Sequence, residues 1–308
     1  MPNFSHIPVM LEEVLAALRP RPGGQYADGT VGGGGHAAAI LAASSPEGRL
    51  FACDRDGDAI EAARRRLAGF AGRFELKRGN FSELADWLGP ASCDGVLLDL
   101  GASSHQLDNA ARGFSFQQDG PLDMRQDQRQ PLTAADLVND TAAEELARLF
   151  WELGDERHSR RFARAIEQER KARPFATTRQ LAGLIERLEP RRGGKTHPAT
   201  RVFQALRIAV NDELGSLRRG LEAALKILKP GGRLAVITFH SLEDRLVKEF
   251  GREWAKDYTV EGADVPELRQ PRAPALRWVQ RKAVLPGDAE VRVNPRSRSA
   301  QLRILERT

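Results

Sequence analysis

A glycine-rich loop carries the first residues whose types and spacing could do chemistry. It runs from Asp28 to His36 and contains five glycines. Glycine permits turns with φ > 0 and lets backbone lie against a bound molecule, at an entropic cost that a structural loop has little reason to bear. A strand-like run precedes the loop and an alanine-rich helical stretch follows it. The loop therefore lies at a strand-to-helix turn, where open α/β sheets bind nucleotides.

Asp54 supplies the second part of this nucleotide-binding pattern. It stands about 20 residues after Gly34, the spacing at which this architecture places a carboxylate on ribose hydroxyls. The pattern Gly32-x-Gly34-x-x-Ala37 also satisfies the looser dinucleotide motif. Two cofactors therefore compete: NAD, whose pyrophosphate needs a cradle at the helix N-terminus, and S-adenosylmethionine, which carries a sulfonium and no phosphate. The loop alone does not distinguish them.

Two further segments should end at the same edge of the sheet. An apolar run ends on Asp99, and a later strand-like run ends just before Phe239 and His240. Ligands bind outside the carboxyl ends of such strands, so we predict that Asp99 belongs to the site and that His240 lines its pocket. A serine hydrolase is excluded, because the sequence has no Gly-x-Ser-x-Gly elbow. Ser241 instead predicts a helix N-cap with Asp244 as its capping-box partner.

The elements that would position these residues alternate between strand-like and helical patterns. Strands are predicted at 25–28, 48–54, 74–77 and 95–99, and helices at 37–43 and 58–67. This alternation is typical of right-handed βαβ units and a parallel sheet, so the predicted fold class is α/β. A further strand is predicted at 232–238, after a helix stop and turn at 228–232. Two final antiparallel strands are predicted at 276–282 and 300–306.

Between about residues 109 and 211 the strand patterns stop. Helices are predicted at 142–151, 160–171 and 178–188, and a single bridging helix from about 198 to 228. The bridging helix has apolar residues every three or four positions, a pattern typical of core packing. We therefore predict one discontinuous domain of residues 1–110 and 210–308, and an inserted helical domain of residues 111–209.

The composition limits the class of protein. The 308 residues are 41 % hydrophobic, with a formal net charge of +5 and ten basic against four acidic residues from Val265 onward. This charge favours a polyanionic partner, most simply nucleic acid, over a generic basic surface. Cys53 and Cys93 fall in or beside apolar runs, and without zinc-type spacing we predict no metal site. No run is long enough to span a membrane, and we expect a cytoplasmic protein.

Aromatic and basic residues at the start of the inserted segment could bind single-stranded RNA. Phe114 and Phe116 follow Arg112, and Arg125 lies a little further on. In such sites, aromatic rings stack bases and arginines hold phosphates. The same residues could equally pin the insertion to the other domain. A second basic run, at 157–173, is either an RNA-facing patch or an ordinary solvated helix.

Taken together, the motifs resemble those of one family, the bacterial 16S ribosomal RNA (cytosine-N4) methyltransferases, which use S-adenosylmethionine. The resemblance covers almost the whole chain, and its long motifs are highly specific. The motifs that carry it are at 6–11, 28–30, 33–36, 54–56, 60–63, 79–82, 97–101, 112–116, 120–125, 197–201, 239–245 and 294–299.

The resemblance implies a class I methyltransferase domain, a Rossmann-like seven-stranded sheet interrupted by an all-helical substrate domain. It also implies S-adenosylmethionine as cofactor and, as methyl acceptor, the N4 amine of a cytosine in the decoding region of 16S rRNA in the small ribosomal subunit. The implied cofactor contacts are Gly34, Gly35, His36, Asp54, Phe81, Asp99 and Gln106. The substrate candidates are Phe114, Phe116, Arg125, His240, Arg296 and Arg298.

Two sequence features bear on these assignments. The family usually has a proline before the glutamine, where this chain has His105, so the backbone constrains the pose of Gln106 less. The Asp/Asn-Pro-Pro-aromatic motif of many amine methyltransferases is replaced by Leu100-Gly101-Ala102, as the resemblance leads one to expect. We therefore predict that Phe114 or Phe116 supplies the stacking aromatic.

Asp99 is also the candidate catalytic residue. The lone pair of a cytosine amine is delocalised into the ring, so catalysis depends on in-line positioning and on an acceptor for the amine hydrogens. We expect Asp99, or a nearby backbone carbonyl, to share that acceptor role. The alternatives are an NAD-dependent dehydrogenase, a non-catalytic RNA-binding relative, and a methyltransferase acting on another RNA or on small molecules. A homodimer is compatible with the sequence, which does not determine the oligomeric state.

Overall fold

The computed structural model of the protein describes residues 8–190, 197–260, 262 and 264–308. His6 and Ile7, which open the first family motif, lie outside the described residues. The chain divides into two compact units. Unit 1 comprises the described residues up to Gly101 together with Leu214–Thr308, and unit 2 comprises Ala102–Glu213. Among the described residues, no helix is both long enough and apolar enough to cross a membrane.

Strands and helices alternate in the first part of the chain, and the elements described between β4 and β5 are helices. In chain order, the strands are β1 Gln25–Asp28, β2 Arg49–Asp54, β3 Phe74–Arg78, β4 Cys93–Asp99, β5 Leu228–Thr238, β6 Tyr258–Val260, β7 Arg269–Pro271, β8 Leu276–Trp278 and β9 Gln301–Arg307. The helices are α1 Leu11–Leu18, α2 Gly35–Ala43, α3 Gly57–Arg66, α4 Leu84–Trp87, α5 Ser104–Asp108, α6 Ala134–Asp140, α7 Ala143–Gly154, α8 Ser159–Ala172, α9 Thr178–Leu188, α10 Thr200–Asn211, α11 Glu213–Ile227, α12 Ser241–Trp254 and α13 Asp288–Val293.

Seven of these strands form the sheet of unit 1, in the order β3-β2-β1-β4-β5-β9-β8. The first five in this order are parallel, while β9 is antiparallel to β5 and β8 is antiparallel to β9. This arrangement confirms the predicted Rossmann-like class I methyltransferase fold, including its antiparallel end. The short strands β6 and β7 pair separately.

The central strand β4 is buried on both faces of the sheet. Leu97 packs in one core cluster with Ile40 of α2, and Val96 and Leu98 pack in another with Leu217 of α11. A continuous apolar run is expected for a strand that helices cover on both sides. Burial of each such side chain contributes about 1.5–3 kcal/mol. This packing fixes the carboxyl end of β4, where the candidate site begins.

Unit 2 is helical and has a core of its own. Phe150 of α7, Phe162 of α8, Leu181 of α9 and Leu206 of α10 are buried together in one cluster. The helices predicted at 142–151, 160–171 and 178–188 are confirmed as α7, α8 and α9. The amphipathic spacing of their apolar residues was therefore a reliable signal of the inward face.

The prediction of one bridging helix at 198–228 is wrong. The structure has two helices, α10 ending at Asn211 and α11 beginning at Glu213. Between them Asp212 has φ of 45°, a left-handed conformation that interrupts a right-handed helix. The apolar spacing continues through the break, so the periodicity does not reveal it.

Two other expectations need correction. The N-cap of α12 is His240 with Glu243 as its capping-box partner, so Ser241 is the first helical residue and not the cap. The segment 228–232, predicted as a helix stop and turn, is the start of β5, with a register shift against β4. The compact units change at 101/102 and at 213/214, and the domain boundaries at 110/111 and 209/210 stay a prediction.

Candidate cofactor site

Three adjacent strands of the sheet each end on an aspartate. β1 ends at Asp28, β2 at Asp54 and β4 at Asp99, and the strand order places all three at one edge. Burial raises the pKa of Asp28 to about 7 and that of Asp54 to about 6. It raises the pKa of Asp99 well above its usual value. A cation bound at this edge would favour the ionised form of each carboxyl.

The glycine-rich loop turns sharply between β1 and α2. Gly32 and Gly34 have φ of 49° and 78°, which residues with side chains rarely adopt. A Cβ on Gly34 would lie 3.2 Å from Cα of Ala63, and one on Gly35 would lie 2.4 Å from Cγ of Pro8. The loop is at the predicted strand-to-helix turn. Glycine is required at positions 34 and 35 because a side chain would collide with Ala63 or Pro8.

Asp54 fastens this loop to the end of β2. Its Oδ2 accepts from the Gly32 N–H at 2.9 Å, and its Oδ1 accepts from the Asp56 N–H at 2.9 Å. A carboxylate oxygen can accept more than one hydrogen bond, so Asp54 retains capacity for a hydroxyl donor. Burial raises its pKa to about 6 against the opposing effect of these two bonds. The carboxylate is therefore mostly ionised at pH 7.

Asp28 and Thr30 connect the loop to β4. Asp28 accepts from the Thr30 N–H at 3.0 Å, and the Thr30 hydroxyl oxygen accepts from the Asp99 N–H at 2.7 Å. Asp28 is only 1 % exposed, and its charge contributes to the raised pKa of Asp99. The backbone positions of the loop and of Asp99 are thus tied together by one threonine.

The Asp99 carboxyl group has one oxygen beside a histidine and one without a partner. His36 Nδ1 lies 3.6 Å from Asp99 Oδ2, and His36 Nε2 lies 2.9 Å from the Val9 carbonyl oxygen. Because that carbonyl can only accept, Nε2 carries a proton. Asp99 Oδ1 is buried with no hydrogen-bond donor among the described residues. Such an acceptor is costly to leave unsatisfied, so its position indicates a ligand.

Phe81 lies in a narrow space between two glycines. A Cβ on Gly29 would lie 2.6 Å from the Phe81 Cβ, and a Cβ on Gly220 would lie 2.3 Å from the Phe81 Cδ2. Phe81 begins a 3-10 turn after β3, capped by the Asn80 side chain, which accepts from the Ser82 N–H at 3.1 Å. The half-buried ring is therefore fixed in orientation. Its proposed contact with adenine stays a prediction.

His240 lies at the carboxyl end of β5, next to β4 in the sheet. Its Nδ1 accepts from the Glu243 N–H at 3.4 Å, and its Nε2 lies 3.2 Å from Glu243 Oε1. Glu243 Oε2 in turn accepts from the Phe239 N–H at 2.8 Å. The position agrees with the predicted pocket edge; Nδ1 is used by Glu243, while the buried Nε2 makes no hydrogen bond among the described residues. Its contact with substrate stays a prediction.

Gln106 belongs to unit 2 and closes a capping box at the start of α5. Its Oε1 accepts from the Ser103 N–H at 3.0 Å, and the Ser103 Oγ accepts from the Gln106 N–H at 3.2 Å. These bonds constrain the turn where His105 replaces the usual proline. The pose of Gln106 is therefore fixed by side chains. Its role as a cofactor contact stays a prediction.

Of the two aromatic candidates for base stacking, Phe114 is buried and Phe116 is half-buried against other rings of unit 2. Phe114 is 6 % exposed, with the Arg112 guanidinium 5.9 Å from its ring centroid. The Phe116 ring centroid lies 4.5 Å from that of His197 and 4.8 Å from that of Phe203. Of the two interpretations left open by the sequence, this packing favours a structural one.

The arginine candidates differ in how their guanidinium groups are used. Arg125 forms a bidentate pair with Asp123 at 2.9 and 2.7 Å and donates to the Gln130 carbonyl at 2.7 Å. These internal bonds favour a structural role for Arg125. Arg296 and Arg298 lie on the exposed side of the turn before β9, where a polyanion can reach them.

Four residues of this edge were missing from the predicted site: Asp28, Thr30, Gly220 and Glu243. Asp28 ends a strand-like run just as Asp54 and Asp99 do, so the repeated strand-aspartate pattern was a usable signal. A glycine in the middle of a predicted helix, as at position 220, was another. Thr30 and Glu243 lie within the family motifs at 28–30 and 239–245, but the sequence did not indicate that Thr30 accepts from the Asp99 N–H or that Glu243 pairs with His240.

The unpartnered Asp99 oxygen, the acidic strand ends and the glycine cradle together fit a cofactor with a positive charge and ribose hydroxyls. Gly34, Gly35 and His36 would hold it from the loop, Asp54 would accept from its ribose, and Asp99 would face its cationic end. The fold and these residues define a class I methyltransferase that uses S-adenosylmethionine.

Comparison with known proteins identifies the family. A sequence model of the MraW methylase family matches residues 3–308. A protein of Symbiobacterium thermophilum named ribosomal RNA small subunit methyltransferase H is 55 % identical over 307 residues, covering 97 % of this chain and 96 % of its own. One of the same name from Geobacter sulfurreducens is 54 % identical over 310 residues, covering 99 % of each. This chain belongs to the MraW methylase family, which excludes the NAD-dependent dehydrogenase.

Solved structures resemble the chain more distantly. A SAM-dependent O-methyltransferase from Thermotoga maritima aligns with a TM-score of 0.44 and 11 % sequence identity, over 100 % of this chain and 72 % of that one. The family assignment does not depend on this likeness.

Proposed function

We propose that this protein transfers the methyl group of S-adenosylmethionine to the N4 amine of a cytosine in the decoding region of 16S rRNA, within the small ribosomal subunit. The names of its relatives support a small-subunit ribosomal RNA substrate. The sequence motifs that resemble the cytosine-N4 family support the base and the atom. The observation that carries the chemistry is the buried Asp99 oxygen at the end of β4, which has no donor among the described residues.

The reaction places particular demands on these residues. The bound cofactor supplies an electrophilic methyl group, and the protein must align the weakly nucleophilic amine with it. The tie between Thr30 and the Asp99 N–H, at 2.7 Å, holds the β4 end in a fixed position against the loop. An ionised Asp99 can accept a hydrogen bond from the cationic end of the cofactor or from the amine, which favours the charge that develops there.

The target base must leave its stack to be methylated. Unstacking a nucleotide costs a few kcal/mol, and basic surfaces offset this cost through contacts with phosphates. Arg296 and Arg298 are exposed cations of unit 1 suited to such contacts. We place the reaction in the cytoplasm. A homodimer remains a further prediction, which sedimentation of the purified protein would test.

Mapping the methylated atom tests the proposed function. Purified protein and methyl-labelled S-adenosylmethionine are incubated with small ribosomal subunits, or with naked 16S rRNA, from cells lacking this enzyme. Mass spectrometry of the digested RNA should then find one methyl group on N4 of a cytosine. Asp99→Asn serves as the matched variant with reduced transfer. Label on another RNA, on a small molecule or on another base atom would contradict the proposal.

A further inference from the structure

One outward face of α8 carries a row of positive side chains. The members of this row, here called the α8 stripe, are Arg157, Arg160, Arg161, Arg164, Lys171 and Arg173, all exposed. Those within the helix lie on the side opposite the buried Phe162 and Ile166. From position 160 to 171 the stripe extends about 16 Å along the helix axis.

The members of the α8 stripe have no acidic partners in the part of the chain that the structure describes, where no ion pair or side-chain hydrogen bond involves them. Other basic side chains of unit 2 are used within the protein. Arg187 donates to Glu169 at 2.8 Å, and Arg170, on the same helix, donates to the Val138 carbonyl at 2.8 Å. The side chains of the stripe therefore differ from Arg170 and Arg187, because their charges face solvent and are not used within the described protein.

The placement of this charge is unfavourable for the helix itself. Arg160 and Arg161 lie in the first turn of α8, which contains no acidic residue. The helix dipole disfavours cations at that end. Arg160 and Arg164 are also spaced four apart, so like charges face each other. Folding does not explain such an arrangement, whereas a bound polyanion would neutralise it.

The unpaired positive charge of the stripe contrasts with the acidic residues of the neighbouring helix. The neighbouring helix α7 packs against α8, and its own exposed residues include Glu144, Glu145 and Glu152. Within α8, Glu167 is half-buried and is not part of the exposed stripe, so the stripe keeps a strong positive charge. This separation of charge between two packed helices indicates a specific surface and not a generally basic protein.

We propose that the α8 stripe binds the phosphate backbone of the RNA substrate. This inference rests on the proposed function and adds to it the surface of unit 2 that contacts RNA. Arginine forms bidentate hydrogen bonds with phosphate oxygens, and a row of cations along one helix suits a run of phosphates along one strand. Contacts of this kind hold RNA without reading its sequence.

Salt dependence of binding provides the test, because each phosphate contact releases counterions. Binding of the full chain to naked 16S rRNA is measured across a range of KCl concentrations for wild type and three variants. They are Arg160→Gln/Arg161→Gln/Arg164→Gln, the same three positions changed to lysine, and a unit 1 control that also loses three exposed charges, Arg64→Gln/Arg65→Gln/Lys226→Gln.

Each single-strand phosphate contact contributes roughly 0.7 to the slope of log affinity against log salt, so loss of three contacts should make the slope of the glutamine variant shallower by about 2. Near 0.15 M salt this variant should bind about 50-fold more weakly than wild type. The lysine variant and the control should keep the wild-type slope. In methyl transfer to 16S rRNA, the glutamine variant should show a raised KM with kcat and cofactor affinity unchanged. Its melting temperature should not fall, because it loses cations from the positive end of a helix.

An unchanged slope in the glutamine variant, or an equal loss in the unit 1 control, would overturn the proposed surface. Loss of folding or of cofactor binding in the glutamine variant, with both retained by the lysine variant, would assign the stripe a structural role instead. Failure of the wild-type protein to methylate 16S rRNA would refute the proposed function separately, because the binding slopes are measured without methyl transfer.

Discussion

Replacing Asp99 with asparagine tests the electrostatic description of the cofactor site. The substitution keeps the shape of the side chain and removes its ability to ionise. In the wild-type protein, burial raises the pKa of Asp99 well above its usual value, and the charges of Asp28 and Glu243 raise it further. The carboxyl group therefore holds its proton more firmly in the cofactor-free protein than an exposed aspartate does. A cation beside it favours ionisation, so cofactor binding should release a proton.

The size of the effect follows from this linkage. While the pH lies below the pKa of the cofactor-free carboxyl, release of one proton raises cofactor affinity by up to about tenfold per pH unit. At high pH, Asp99→Asn loses a charge-assisted hydrogen bond of about 1.5–3 kcal/mol, which raises Kd about 10- to 150-fold. At neutral pH the free energy of unfolding should rise in Asp99→Asn, because the raised pKa of the buried carboxyl costs the folded protein stability above the unfolded pKa and asparagine does not ionise.

Isothermal titration calorimetry in two buffers of different ionisation enthalpy measures the proton release directly. Wild type should release protons on binding S-adenosylmethionine, and Asp99→Asn should release fewer. S-adenosylhomocysteine, which lacks the sulfonium charge, should release less. His36→Gln is a necessary control, because His36 Nδ1 lies 3.6 Å from Asp99 Oδ2. The reasoning is refuted if wild-type affinity is independent of pH, or if Asp99→Asn releases as many protons as wild type.

Three other substitutions test contacts in the two units. Gly220→Ala places a Cβ 2.3 Å from Cδ2 of Phe81 and should lower the free energy of unfolding in urea by about 1–3 kcal/mol. The control Gly69→Ala, whose Cβ has no atom within 4 Å, should leave it unchanged. Equal stability of the two variants would contradict the close packing at Phe81. Because the pKa of Asp54 is raised only to about 6, cofactor affinity should fall as pH drops from 7 towards 5. A titration of Asp99→Asn, which lacks the Asp99 contribution, should show this fall, and its persistence in Asp54→Asn/Asp99→Asn would assign it to another group. Asn211→Ala removes two hydrogen bonds between the Asn211 side chain and the backbone, of 2.7 and 2.8 Å, and should lower the stability of unit 2 by about 1–3 kcal/mol. Amide hydrogen exchange in unit 2 measures this loss, and exchange rates equal to those of wild type would argue against it.

The sequence was most informative where local pattern and position in the sheet coincide. Asp54 and Asp99 could be placed at the carboxyl edge because each ends an apolar run, and strand direction then fixes the edge. The antiparallel end strands could be predicted from alternation alone. These features depend on residues close together in the chain, so a single sequence contains them.

Features that depend on distant residues were not predictable in this way. The break at Asp212 lies inside a continuous apolar stripe, and only tertiary packing distinguishes two helices from one. His240, and not Ser241, caps α12 because Glu243 accepts from the backbone before the helix. The sequence predicts Arg125 as a substrate contact, but its guanidinium group forms a bidentate pair with Asp123, two residues away. In the last two cases the sequence offers two partners of similar chemistry, and the folded structure determines which one is used.

The pairing of β4 with β5 has a consequence for how the protein folds. Gly95 and Arg233 are register partners, yet the whole of unit 2 separates them along the chain. Unit 2 is helical, continuous in sequence and rich in local contacts, which favours rapid folding, whereas joining β4 to β5 needs a long loop to close first. Until then the apolar edge of β4 has no neighbour on that side and can pair with other chains. Assembly of the sheet, and with it the Asp99 site, should therefore be the slow and aggregation-prone stage of folding.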